Sequence, residues 1–312
     1  PPQPRGPLAV NLLTAWRAVL SVSVAGAALG FLASLMAARA LGADGFGVWA
    51  ISYNLLSVLS LLGTAGYVMA ILRFGPQSLS DGAGQMLHTL MTTAVVHTAV
   101  ISTGLALAVA ALVTAFPNLA PLGRYDCLVL IALATPFAVW TTLNTTESRV
   151  YGLLQLALLP ETVFRHAAII AVAALTLLGL WTLGSDPIAY CAAVLVACVL
   201  SGVVTAGIAK RYAPATVTGS PAGTVNHGLL RKSLGFYGID LLFIARTQVD
   251  VFVVAALVTT TDAGIYAIAL RIGDLIFVIT TTLTYVITPR ISQALAEGNR
   301  DVFEQDQRSA SL

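Results

Sequence analysis

Apolar residues run through this chain in long blocks, not in the alternation of a half-buried strand or the single stripe of a surface helix. Crossing the hydrocarbon of a bilayer takes about 20 largely apolar helical residues. Eight stretches meet that requirement: 15–38, 48–71, 89–115, 127–146, 164–181, 188–209, 234–258 and 264–288. Pro136 interrupts the fourth, whose end from Thr141 to Thr146 is polar, and the fifth is short. The pattern predicts an all-α integral membrane fold of about eight transmembrane helices.

Composition agrees. Hydrophobic residues make up 57% of 312 positions, charged residues 10%, and the mean hydropathy is +0.87. A soluble domain carries about 25% charged residues, so this chain lacks the polar surface to face water all round. A net charge of +2 gives no footprint for nucleic acid. Cys127, Cys191 and Cys198 lack the spacing of a disulfide framework or a zinc site and read as small buried residues. No metal or cofactor is expected.

The loops sort by charge. One side collects Arg5, Arg17, Arg73, Arg149, Arg165, Lys210, Arg211, Arg231, Lys232, Arg290, Arg300 and Arg308, and the other only Arg39 and Arg124. Lys and Arg stay on the cytoplasmic side, so the first side and both ends of the chain are expected there. The stretch 210–233, rich in Pro, Gly, Ser and Thr, reads as a cytoplasmic linker, and the polar stretch 291–312 as a cytoplasmic tail.

A short repeat organises what remains. Gly47-Val48-Trp49-Ala50-Ile51 opens the second predicted helix and Gly264-Ile265-Tyr266-Ala267-Ile268 the eighth, 217 residues later. Each follows an acidic residue, Asp44 or Asp262, at a turn on the charge-poor side. Six helices between them preserve direction, so the repeat would be parallel, about an axis along the membrane normal. Residues 1–209 then form a complete six-helix bundle and 234–290 the first two helices of a second. On this reading four helices of a two-lobe fold lie beyond the chain.

The run Ala38-Arg39-Ala40-Leu41-Gly42-Ala43-Asp44-Gly45-Phe46-Gly47-Val48-Trp49 resembles the first external turn of polysaccharide exporters in the multidrug/oligosaccharidyl-lipid/polysaccharide exporter superfamily. Gln248-Val249-Asp250, Gly264 to Ala269 and Pro289-Arg290-Ile291 look like helices seven and eight of the same family. The resemblance implies two helical lobes around a central cavity. It implies a flippase moving an undecaprenyl-diphosphate-linked oligosaccharide or polysaccharide precursor across the bacterial inner membrane by alternating access. The expected partners are that polyprenyl-diphosphate-linked glycan, the bilayer, and a glycan polymerase or assembly protein.

Five charged residues fall inside the last two predicted helices: Asp240, Arg246, Asp250, Arg271 and Asp274. Charges at that depth are costly and normally face a bundle interior or a wet cavity. Arg246 with Asp250 and Arg271 with Asp274 are spaced to meet on one helix face. One reading is a cationic cavity in which Arg246, Arg271 and Arg17 hold a diphosphate; the other is ion pairing that fixes helix packing. Asp240, Asp250, Asp274 and His97 are candidates for ion pairing or coupling. Arg17 otherwise snorkels to headgroups. Thr89, Thr93 and His97 form a polar stripe, and Gly26 and Gly30 a close-packing GxxxG. No HExxH motif, nucleophile elbow or carboxylate-rich loop is present, so an enzyme is not expected. A multidrug or cation exporter of the same superfamily and a membrane enzyme of glycan assembly remain the alternatives.

Overall fold

A computed structural model describes residues 12–80, 84–116, 124–218 and 226–273. The described residues are helical throughout, with short turns and no strand. The helices are α1 (Leu12–Gly63), α2 (Tyr67–Ser80), α3 (Gly84–Ala115), α4 (Tyr125–Val150), α5 (Leu154–Leu177), α6 (Pro187–Arg211), the single turn α7 (Ala215–Thr218), α8 (His227–Thr247), α9 (Val249–Leu257) and α10 (260–273). Five of them contain stretches long and apolar enough to cross a membrane, in α1, α3, α4, α5 and α6. This is a multi-pass, membrane-embedded chain.

The span in α1, Leu20–Gly63, is 44 residues long. At 1.5 Å per residue that is about 66 Å, twice a hydrocarbon core of about 30 Å. Gly42 resolves the excess. It sits at φ 70°, ψ 178°, a backbone region open in practice only to glycine, and divides α1 into limbs 12–41 and 43–63. Gly30 on the first limb packs against His166 of α5, while Tyr53 on the second meets the adjacent Arg165. Residues 30 and 53 therefore lie at one height, on opposite sides of Gly42, and the chain reverses there.

The other directions follow from similar pairs. α4 and α6 run parallel: Arg124 bonds Asp186 where they start, and Gly202 faces Trp140 further down. α3 runs the opposite way beside the second limb of α1 and α2, with Ser102 at Gly63 and His97 at Tyr67. α8 rises from Asn226, whose N–H bonds the Thr93 hydroxyl, to Gln248, whose carbonyl takes a bond from Asn54. α10 descends from the α1 turn towards Tyr53. Arg149 and Lys210–Arg211, in the last turns of α4 and α6, consequently share one end, opposite the turn end of Gly42, Arg124 and Asp186.

Several expected boundaries move. The second predicted span stops at Gly63, and a turn with Ala65 at φ 46° and Gly66 at φ 75° leads into a separate α2. The fifth begins at Leu154, not near 164, and carries Pro160 inside it. Arg165 is thus well inside a helix and not in the basic loop to which the charge pattern assigned it. The linker 210–233 is shorter than expected, since α8 is helical from His227, N-capped by the Asn226 side chain. The seventh span breaks at Gln248 (φ −130°), so Arg246 and Asp250 do not lie four apart on one regular helix. The eighth is described only to 273; Asp274, the rest of that span and the tail 291–312 lie outside the described residues.

Candidate functional site

Small residues let the helices close around the second limb of α1. The core joins Ala33, Ala37, Ala134, Ala138, Ala173, Cys127, Cys191 and Cys198 to the aromatic residues Phe46, Trp49, Tyr53 and Tyr190. Phe46, Trp49 and Tyr53 fall on one face at helical spacing. Their rings step down the limb with centroids 5.2 and 5.3 Å apart, the lower pair stacked. Tyr53 ends this ladder, 9% exposed.

Two cations converge on Tyr53 from different helices. The Arg271 guanidinium of α10 lies 5.8 Å from its ring centroid, within cation–π range. Arg165 of α5 takes the Tyr53 hydroxyl as a polar partner and lies 3.6 Å from Glu161 one turn earlier. Its side chain keeps 20% of its surface accessible, although it sits deep among the helices. His166, next in α5, feels the charge of both arginines, and its Nδ1 contacts the Thr162 carbonyl at 2.6 Å. Gly30 leaves room for its ring: a methyl there would come within 3.0 Å of Nε2. Gly26 does the same for Thr162, so α5 is the helix that the GxxxG accommodates.

The residues expected from sequence are dispersed around this centre. Arg271 is in it. Arg246 lies exposed in the last turn of α8. The Asp250 carboxylate accepts a bond from the Tyr266 hydroxyl at 3.0 Å and another from the Val251 N–H. Asp240 is 6% exposed against the Gly66 turn, with Oδ2 lacking a partner. His97 pairs through Nδ1 with the Tyr67 hydroxyl at 2.6 Å, a second polar position between α2 and α3. Arg17 lies in α1, before the residues whose side chains are described.

Sequence reading missed Arg165, His166 and Tyr53. A signal for the first two existed: Leu153 to Leu159 is apolar but for Gln155, and counting it into the helix carries Arg165 inside. At the turn end, Arg124 bridges Asp126 and both oxygens of Asp186 at 2.6–2.8 Å, tying α4 to α6. Those carboxylates, Asp126 foremost, hold its pKa above the ordinary value, so it stays a fixed cation. No group of three or more metal-ligating side chains occurs among the described residues.

The model of a family described as polysaccharide biosynthesis protein matches residues 12–295. The chain belongs to that family. The polysaccharide biosynthesis family match runs through both limbs of α1, the cation-bearing α5 and α10, and every helix between them. No curated protein and no solved structure matches the chain.

Proposed function

We propose that this member of the polysaccharide biosynthesis family is a flippase, not an enzyme, and carries a polyprenyl-diphosphate-linked oligosaccharide or polysaccharide precursor across the bacterial inner membrane. The observation behind the reading is the convergence of Arg165 and Arg271 on Tyr53, between apolar helices. Guanidinium groups that deep among apolar helices normally face a bundle interior or a wet cavity. A diphosphate supplies the charge, and guanidinium forks match its oxygens. Glu161 lies beside Arg165, and the Tyr53 ring is one of the contacts of Arg271, so both side chains are already positioned when no headgroup is present. The sugar stays in the polar space while the polyprenyl tail remains in lipid, so only the headgroup needs shelter from hydrocarbon. Both chain ends and the linker face the cytoplasm on this reading, because the basic helix ends lie together.

The test is complementation of surface glycan in cells lacking their own exporter, with membrane protein level measured alongside. Arg271→Gln and Arg165→Gln are each expected to lower export about tenfold or more, since one charge-assisted contact is worth about 1.5–3 kcal/mol. Lys at either place should restore part of it, because a point charge cannot copy the planar fork. Normal export by both Gln variants would reduce the cluster to a packing feature. Selective loss on replacing Asp240 and Asp250 would favour a cation exporter.

A further inference from the structure

Gly75 of α2 packs against Val150, the last residue of α4: a methyl on Gly75 would lie 2.9 Å from the valine side chain. Arg73, two residues earlier, therefore sits at the end shared by Arg149 and Lys210–Arg211. It is exposed, and its guanidinium carbon lies 5.9 Å from the Phe74 ring centroid and 5.8 Å from that of Phe236 on α8. The two rings meet edge to face, with centroids 6.5 Å apart. The cation thus rests at the junction of α2 and α8. Aromatic rings attract its charge without taking up its N–H fork in ordinary hydrogen bonds, so the fork stays available to oxygen.

Two more cations stand beside it. Arg231 and Lys232 are exposed in the first turns of α8, and Lys232 falls one turn before Phe236 on the same helix face. Among the described residues, neither Arg73 nor Arg231 nor Lys232 has a carboxylate within ion-pair distance. Deeper along both helices the exposed side chains turn apolar. Met69 is exposed one turn inward from Arg73 on α2. On α8, Phe243 continues the face of Lys232 and Phe236, while Leu234 and Leu241 continue that of Arg231, and all three are exposed. From the basic end inward, each helix offers cations first and hydrocarbon surface next.

We propose that Arg73, Arg231 and Lys232 hold the phosphate of an anionic glycerophospholipid at the α2–α8 junction. The inference goes beyond the flippase reading and holds whatever the protein carries. Charge and polarity both fit this occupant. A phosphodiester offers its anionic oxygens to the fork of Arg73 and to the Lys232 ammonium. A headgroup without a cation of its own is favoured, because the choline of a zwitterionic lipid would meet three like charges. The two acyl chains continue inward along the exposed apolar faces of α2 and α8. A soluble anion would use the cations and leave that surface idle. Basic residues at the end of membrane helices, backed by hydrocarbon-facing side chains, are where anionic headgroups bind. Bound there, the phosphate bridges α2 to the first turns of α8.

The test titrates the detergent-purified full chain with phosphatidylglycerol or chain-matched phosphatidylcholine and counts bound lipid by native mass spectrometry. The parent should retain phosphatidylglycerol in preference to phosphatidylcholine. Arg73→Gln should weaken that binding about fivefold, the usual worth of one cation beside an anionic headgroup, and Arg231→Gln with Lys232→Gln by more. Phe236→Leu keeps every charge but removes a ring that places Arg73, and should weaken it as well. Lys210→Gln with Arg211→Gln, at the same end but away from the junction, should leave it unchanged. Unchanged binding in Arg73→Gln or in the α8 pair overturns the site. An equal loss in the Lys210 and Arg211 variant reduces it to diffuse basic attraction and overturns it too. Inorganic diphosphate in excess, at matched ionic strength, should not displace the lipid; displacement would make the occupant a soluble anion and overturn the lipid assignment. If Arg73→Gln fails to fold, the α8 pair and Phe236→Leu decide.

Discussion

Single residues decide where this chain turns and what it tolerates. Gly42 reverses α1 with nothing within 4 Å of where its side chain would be, so its requirement is purely one of backbone conformation. Gly42→Ala should cost about 1–3 kcal/mol, the price of a non-glycine residue in that region. Thermal unfolding in detergent would show the loss, and a melting point equal to that of the parent would mean the turn re-forms elsewhere. The Tyr67–His97 bond allows a milder check. Tyr67→Phe deletes one buried hydrogen bond without changing shape and should destabilise by about 1 kcal/mol. Glycines were legible as candidates for turns and close packing. Which of them were tight was not: Gly104 and Gly207 face open space, whereas Gly63 and Gly202 face side chains closer than 3.0 Å.

At the scale of the helix, hydropathy located elements better than it bounded them. α5 shows why. Pro160 and Glu161 stand just before the predicted start at 164, yet the helix passes through the proline at the loss of one backbone bond, the one to the Leu156 carbonyl, and Ser201 of α6 bonds the Pro160 carbonyl at 3.0 Å, holding this turn against α6. That extension moved Arg165 from a loop into the candidate site. The break at Gln248 had no counterpart in the hydropathy, because Val249 to Leu257 is as apolar as an unbroken span. Asn54 bonds the Gln248 carbonyl where the helix is interrupted, a contact that only the packed structure brings about. α4 and α6 are joined by close approach of small residues, as membrane helices commonly are. A methyl at Gly202 would lie 2.5 Å from Trp140, so Gly202→Ala should cost about 1–3 kcal/mol by overpacking. Lowered thermal stability in detergent, largely relieved by Trp140→Leu, would attribute the cost to this contact; no relief would place it elsewhere.

For the molecule as a whole, the orientation proposal has a direct check. A cysteine introduced at Ser220, in the part of the linker outside the described residues, should react with an impermeant thiol reagent only after the membrane is opened. Labelling from outside intact cells would invert the topology. Composition and the long apolar blocks together determined that this is a helical membrane protein: with 10% charged residues lipid is the adequate solvent, lipid demands internally bonded backbone, and uninterrupted apolar runs of about 20 residues suit helices. Loop charges grouped Arg149 with Lys210–Arg211, whose helix ends do lie together, but also Arg165, which lies within α5. A repeated stretch of sequence was visible at two turns, but their backbones differ: Gly42 turns at positive φ, whereas the break before α10 at Val258 has φ −118°. The candidate site was another matter. Arg165, Arg271 and Tyr53 are more than a hundred residues from one another and none carries a motif; Arg271 alone stood out, as a charge inside a predicted helix. Only the packing of α5, the second limb of α1 and α10 around one seam brings them within reach. That distinction is physical: solvent preference and local geometry are properties of short segments, whereas convergence of charge depends on which helix faces meet.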